Sequence, residues 1–214
     1  MSEYFEFFFL ESVKSTNDEI KSLSQNKKTS IALFSEEQTN GKGRSSNKWF
    51  SQKGDLTCSF FLSENFNLSD LGKINIMISV CILDALKEIF KNLEVKIKWP
   101  NDLYIGEKKL GGILLETKVS SGNIINLIIG VGINLISSPN INKYKTTKIT
   151  NYVSEINSKE LFLHLSKYIA NYFTNFNKID FLYYKKRWIN YSKDIGKIVI
   201  IRKNEKLFNV KFIY

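Results

Sequence analysis

Apolar residues fall along this chain in two kinds of block. Short blocks rich in Phe, Ile, Val and Leu predict strands: EYFEFFFL (3–10), SIALFSEEQ (30–38), DLTCSFFLS (55–63), EVKIKWP (94–100), DLYIG (102–106), KKLGGILLETKV (108–119) and NIINLIIGVGINL (123–135). One long block, SDLGKINIMISVCILDALKEIFK (69–91), repeats its apolar residues at helical spacing and predicts a long buried helix. A shorter helix is expected in KSTNDEIKSLSQ, where Ser15 or Thr16 can cap and Asp18 or Glu19 can close a capping box. Helical stretches follow at about 158–176 and 178–191, and GKIVIIRKNEKLFNVKFIY closes the chain as a hairpin with its turn near Asn204. Gly106-Glu107 and Ser121-Gly122 suit tight turns between antiparallel strands. This order predicts an α+β fold, a mixed and mostly antiparallel sheet with helices packed on it, rather than a doubly wound parallel sheet.

Composition narrows the picture. A chain of 214 residues, 43% hydrophobic, fits one large domain or one domain with a small appendage. No apolar run approaches the roughly 20 residues of a membrane-spanning helix, and MSEYFEFFFL reads as a strand, not a signal peptide. Cys58 and Cys81 sit in apolar surroundings without a CxxC pair, which points to a reducing cytoplasm. The single histidine, His164, lies in a helical stretch, so Ser-His-Asp and Cys-His mechanisms are not expected. The formal charge of +10 raises a nucleic-acid reading. However, the cations are mainly lysine, with arginine only at Arg44, Arg187 and Arg202, and no element concentrates the residue type that reads base edges. What the charge does imply is attraction for an anionic ligand or acidic partner.

Three segments carry candidate chemistry. In TNGKGRSSNKWF (39–50), Gly41 and Gly43 allow backbone to approach a ligand. Lys42, Arg44 and Lys48 add charge, Arg44 with a two-donor fork for phosphate, and Trp49 offers a flat face for a heterocycle. The spacing is not that of a Walker loop. The same residues would also suit a mobile surface loop. In KIKWPNDLYIGEKKLGGILLE (96–116), Asn101 and Asp102 form a polar pair between apolar strands. Asp102 can accept an amine proton or help a magnesium ion. Lys109, ahead of two glycines, can aim its ammonium into a pocket; the bland alternative is a turn and an exposed edge lysine. In IIGVGINL (128–135), Gly130 and Gly132 suggest close backbone packing, with Asn134 as a lone polar side chain.

Taken in order, STN (15–17), GKGRSSNKW, KWPNDLYI followed by KLGGILLE, and GVGIN make the chain resemble the biotin–protein ligases, also called biotin–[acetyl-CoA-carboxylase] ligases. The likeness runs from about residue 8 to 191 and weakly beyond. It implies the catalytic fold related to class II aminoacyl-tRNA synthetases, with residues 1–192 as catalytic domain and 193–214 as a truncated β appendage, a remnant of an SH3-like domain. The absence of a winged-helix segment before the first motif implies no sequence-specific DNA binding. The resemblance further implies ATP-dependent attachment of biotin to a lysine of a biotin carrier domain, that of acetyl-CoA carboxylase by default, through biotinyl-5′-AMP with Mg²⁺. Catalysis would fall to Arg44, Lys109 and Asp102, the last also a possible metal ligand. Biotin would lie against Ser15, Thr16, Asn17, Gln38, Gly41, Lys42, Arg44, Lys109 and Gly112. The nucleotide would meet Lys42, Arg44, Trp49, Asn101 and Asn134.

The loop departs from the family's arginine-rich pattern: Lys42, Ser46 and Asn47 stand where Arg, Gly and Arg are usual. Lysine lacks the bidentate fork, so poorer retention of the adenylate is expected. Lipoate–protein ligase activity and a lysine-rich nucleic-acid-binding module are the alternatives. Exposed sheet edges make a homodimer possible.

Overall fold

The phenylalanine-rich first block becomes β1 (Phe5–Val13), which crosses over through α1 (Thr16–Leu23) to lie parallel to β2 (Ser30–Gln38). The computed structural model describes residues 4–25, 27–203 and 206–213. After β2 come two short strands, β3 (Gly41–Lys42) and β4 (Lys48–Trp49), paired only with each other. Then follow β5 (Leu56–Leu62), β6 (Phe66–Asn67), α2 (Leu71–Ile89), β7 (Val95–Lys98), β8 (Asp102–Ile105), β9 (Lys108–Ser120) and β10 (Asn123–Ile133). The chain continues through α3 (Ser158–Thr174) and α4 (Phe181–Tyr191) to β11 (Ile198–Lys203) and β12 (Lys206–Lys211). The main sheet runs β1-β2-β5-β10-β9-β8-β7, with β6 added to β10, and is antiparallel throughout except at β1–β2. The expected α+β architecture with a mixed, mostly antiparallel sheet is what forms.

The turns follow from backbone chemistry. Gly106 (φ +54°) links β8 to β9, and Ser121 (φ +49°) with Gly122 (φ +77°) links β9 to β10, left-handed positions that match the twist of a hairpin. The turn expected near Asn204 lies outside the described residues. Ser15 takes the N-cap of α1, its hydroxyl accepting from the Asp18 amide at 3.4 Å. The expected capping box does not close, because the Asp18 carboxylate turns away to Lys42 at 2.6 Å.

Alternation along the strands sends successive residues to opposite faces. One face carries the main core: Phe60, Cys58, Leu62 and Ile129 pack with α2 and α3, and Phe162 of α3 sits among Phe7, Phe9, Phe34 and Phe60 at ring-centroid distances of 5.6 to 6.0 Å. The other face holds a smaller cluster, Ile31, Leu33, Phe61 and Ile128, closed by Ile20 of α1. Beyond that cluster the same face turns to glycine and hydroxyl residues, and there the cleft forms. The β11–β12 ladder stands apart from the main sheet, with Phe212 just beyond it 6.1 Å from the Trp99 ring and 6.2 Å from Trp188.

Helix α4 is tied to α2 by Arg187, which grips both oxygens of Asp84, while the Tyr172 hydroxyl donates to the same carboxylate at 3.1 Å. Burial pushes the Asp84 carboxyl above its usual range, and the guanidinium opposes that push. Arg187→Ala is expected to cost about 2–3 kcal/mol near neutral pH, because it strands a desolvated carboxylate. The penalty should shrink as pH falls through the raised Asp84 pKa, since the neutral acid needs no counter-charge. Urea denaturation at two pH values checks both the size and the sign.

Candidate active site

The floor of the cleft is built where side chains are missing. Gly112 of β9 pairs with Gly132 of β10, and Gly130 pairs with Ser59 of β5, so one face of three strands is nearly bare. A Cβ at Gly130 would lie 2.3 Å from Asn17 Oδ1, and one at Gly132 would lie 2.5 Å from the Trp49 ring. The close packing expected of both glycines is therefore present, and each has its own occupant. The resulting cleft encloses about 310 Å³, at the small end of ligand sites.

Over this floor fold β3 and β4, with residues 43–47 between them. Gly41 pairs with Trp49, and a Cβ at Gly41 would lie 2.6 Å from the Trp49 carbonyl oxygen. The Trp49 indole lies against Gly132, its Nε1 buried without a partner among the described residues. Arg44 reaches across the cleft to donate to Asn101 Oδ1 at 3.1 Å, and Asn101 in turn donates to the Ile113 carbonyl. Lys42 lines the cleft but is paired with Asp18 on α1.

Opposite the loop stands Lys109. Its backbone is bonded on both sides to the segment that follows β10: its amide donates to Lys145 O, and its carbonyl accepts from Thr147 N, both at 2.9 Å. It is no free edge residue. Its side chain is only 13% exposed, with Nζ 2.7 Å from Asp102 Oδ1, 5.1 Å from the Tyr144 ring centroid and 5.9 Å from that of Trp49. A Cβ at Gly112 would lie 3.3 Å from Asp102 Oδ1 and 3.6 Å from Lys109 Nζ, so the bare residue makes room for this ion pair. Burial, and then the Asp102 charge, push the Tyr144 hydroxyl above its usual pKa, so it stays a neutral donor at the cleft mouth.

The far wall is polar and buried. Ser15, Thr16 and Asn17, at the start of α1, are each at most 4% exposed. Gln38 Oε1 accepts from the Thr16 amide at 2.8 Å and from its hydroxyl at 3.0 Å. Ser59 Oγ lies 2.8 Å from Thr16 Oγ1 and 2.6 Å from Asn17 Oδ1, and Asn17 Nδ2 donates to Glu116 Oε2 at 2.7 Å.

The structure thus gathers Ser15, Thr16, Asn17, Gln38, Lys42, Arg44, Trp49, Asn101, Asp102, Lys109 and Gly112 around one cleft, and Gly41 sits in the loop beside them. Asn134 is the exception. It lies just past the end of β10, 2% exposed, donates from Nδ2 to Thr147 O at 3.0 Å, and is not among the lining residues. Its Nδ2 is held by this structural contact, while its Oδ1 is buried without a partner among the described residues. Asp102 faces Lys109 rather than a carboxylate cluster, and among the described residues no group of three or more His, Cys, Asp or Glu could hold a metal ion. The residues present do not fit a protein-held magnesium site. Sequence reasoning missed Tyr144, Ser59 and Glu116. The first lies in a loop without a motif, and the other two act from behind the wall.

A buried carboxylate outside the cleft holds the frame. Asp55, fully buried, accepts from the backbone amides of Leu135, Ile136 and Ser137 at 2.8, 2.9 and 3.0 Å through Oδ1, and from the Gln52 amide at 3.0 Å and the Ser137 hydroxyl through Oδ2. It fastens the loop leaving β10 to the turn entering β5.

Comparison with known proteins places this architecture. Among solved structures, the biotin protein ligase of Aquifex aeolicus in complex with biotin and ATP superimposes with a TM-score of 0.79 at 28% identity, covering 96% of this chain and 86% of that one. The biotin protein ligase of Leishmania major in complex with biotinyl-5-AMP shares the fold, with a TM-score of 0.76 at 18% identity over 96% of this chain and 98% of that one. The bifunctional ligase/repressor BirA of Escherichia coli is 34% identical over 126 residues, 58% of this chain and 38% of that protein. Biotin–protein ligase 1, chloroplastic, of Arabidopsis thaliana is 38% identical over 104 residues, 46% of this chain and 28% of that protein. The chain therefore matches well under half the length of these curated relatives. The model of the biotin/lipoate A/B protein ligase family matches residues 9–134, and the chain belongs to that family.

Proposed function

We propose that this protein joins biotin to a lysine of a biotin carrier domain in two steps, with biotinyl-5′-AMP between them. The observation that carries the reading is the cleft itself: Arg44 and Lys109 converge at one end, and the buried Ser15–Asn17 and Gln38 wall stands at the other. The likeness to a ligase whose structure holds biotin and ATP supports it.

In the first step the biotin carboxylate, with a pKa of about 4–5 and thus ionised at pH 7, needs no base. Its oxygen bonds to the α-phosphorus of ATP, the bond from that phosphorus to the bridging oxygen of the β-phosphate breaks, and pyrophosphate leaves. Charge builds on the α-phosphate oxygens, where Lys109 and Arg44 can meet it with donors already positioned. Mg²⁺ belongs to the co-substrate Mg-ATP and would offset the triphosphate charge. In the second step a neutral lysine amine attacks the acyl carbon and AMP departs with the electron pair of the broken C–O bond. Once the phosphate draws Lys109 away, Asp102 is free to take the proton the amine loses. Trp49 over the glycine floor keeps water from the mixed anhydride.

Residues 1–192 would form the catalytic unit and 193–214 a separate appendage. Two buried free cysteines suit a reducing cytoplasm. Among the described residues no helix is long and apolar enough to cross a membrane.

The direct test is incubation with Mg-ATP, a carrier domain of acetyl-CoA carboxylase and either biotin or lipoate, read by the mass of the modified lysine. Biotin transfer is expected; transfer of lipoate alone, or of neither acid, removes the reading. Two further outcomes are expected. Gly130→Ala, whose new methyl would displace the Asn17 amide, should raise the KM for biotin about 10-fold while leaving that for ATP nearly unchanged. In a trapping assay, biotinyl-AMP should escape faster than from an arginine-rich relative, since Lys42 is a point charge already paired with Asp18.

A further inference from the structure

Glu116 does not line the cleft, yet it bonds to a residue that does. Its Oε2 accepts from Asn17 Nδ2 at 2.7 Å across a separation of 99 residues, and Asn17 is 3% exposed. An ionised carboxylate can only accept, so the Asn17 amide must turn its NH₂ toward Glu116 and its oxygen toward Ser59. That oxygen also can only accept, so the single Ser59 proton points to it, at 2.6 Å. With its proton on Asn17, Ser59 cannot also donate to Thr16 Oγ1, 2.8 Å away. The Thr16 hydroxyl donates to Gln38 Oε1 at 3.0 Å, which also receives the Thr16 amide.

The Thr16 proton thus points into the wall, at Gln38. Thr16 Oγ1 therefore presents lone pairs to the cleft, and the Gln38 amide, its oxygen engaged, is left to offer its NH₂. Proton counting gives this wall one polarity only: acceptors at Thr16 and Asn17, a donor at Gln38. We propose that Glu116 is a positioning residue that fixes this polarity, and so sets the preference of the site for a cyclic urea, with N–H donors beside a carbonyl acceptor, over a cyclic guanidinium, which offers donors alone. The proposal rests on the biotin reading of the cleft.

Without the carboxylate the Asn17 amide is free to flip, Ser59 can reverse, and Thr16 can turn its proton outward. A ligand able to accept at one edge and donate at the other then meets a wall of mixed polarity. An all-donor ring loses much less, since it was mismatched at Gln38 from the start.

The experiment is calorimetric titration of the full chain with biotin and with 2-iminobiotin at a pH where its ring is protonated, without ATP. The variants are Glu116→Leu, Glu116→Gln and Ser59→Ala, each first checked for an unchanged thermal transition. Glu116→Leu is expected to weaken biotin about 10-fold or more, the usual size for losing a charged hydrogen bond, and to change iminobiotin affinity by less than about threefold. Ser59→Ala should narrow the biotin-to-iminobiotin ratio in the same direction. Glu116→Gln, whose amide oxygen can still accept from Asn17, should stay within about threefold of the parent. An unchanged ratio in Glu116→Leu and Ser59→Ala, or a Glu116→Gln variant as poor as Glu116→Leu, overturns the proposal. A parent protein that binds no biotin overturns the functional reading instead, and the ratio test separates the two failures.

Discussion

Lys109→Ala should slow adenylate formation by on the order of 10²-fold or more, the usual loss when a donor aimed at developing charge is removed. The structure adds a reason for the effect to be large. Lys109 is paired with Asp102 at 2.7 Å, so deleting the ammonium also leaves an uncompensated carboxylate facing the incoming phosphates. Biotin-dependent exchange of pyrophosphate into ATP measures the step directly. The double variant Lys109→Ala/Asp102→Asn should recover part of the loss, because it removes the stranded negative charge. Exchange near the parent rate in the single variant would take Lys109 out of the mechanism altogether.

The second large effect is on stability. Asp55→Ala should destabilise the fold by about 3–5 kcal/mol, since three consecutive amides at residues 135–137 lose their acceptor inside the protein. For a chain of this size that corresponds to a drop of about 10 °C in Tm. Asp55→Asn keeps one oxygen for the amides but turns an NH₂ toward other donors, and should fall between alanine and the parent. A loss below about 1 kcal/mol in Asp55→Ala would mean that water satisfies those amides and the carboxylate is not what holds the loop.

What the sequence disclosed and what it withheld divide along a physical line. The strand limits of β2, the hairpins at Gly106 and Ser121–Gly122, and the long helix α2 all rest on neighbours in sequence: period-two alternation, turn residues with positive φ, and apolar residues on one helical stripe. Arg44 and Lys109 lay in segments of unusual composition, whereas the Ser15–Asn17 wall, read locally as a helix cap, joined them only through the family resemblance. Glu116 was not legible, since nothing in LGGILLE says that its side chain will reach Asn17 in α1. Asp55 was hidden for the same reason, its partners lying 80 to 82 residues away. Asn134 follows Gly-Val-Gly-Ile just where the strand ends at Ile133, so its side-chain direction cannot be read from the alternation of β10. The pairing of Lys42 with Asp18 is a choice of side-chain direction that no local pattern encodes.

The polar wall of the cleft draws on α1, β2, β5 and β9, and its hydrogen bonds join residues as far apart as Asn17 and Glu116. Closing loops of that length comes late in folding, after local helices and hairpins have formed. No partly folded species missing either α1 or β9 can therefore possess the pocket. The small ligand should recognise only the finished molecule, and by mass action its presence should draw newly made chains toward completion.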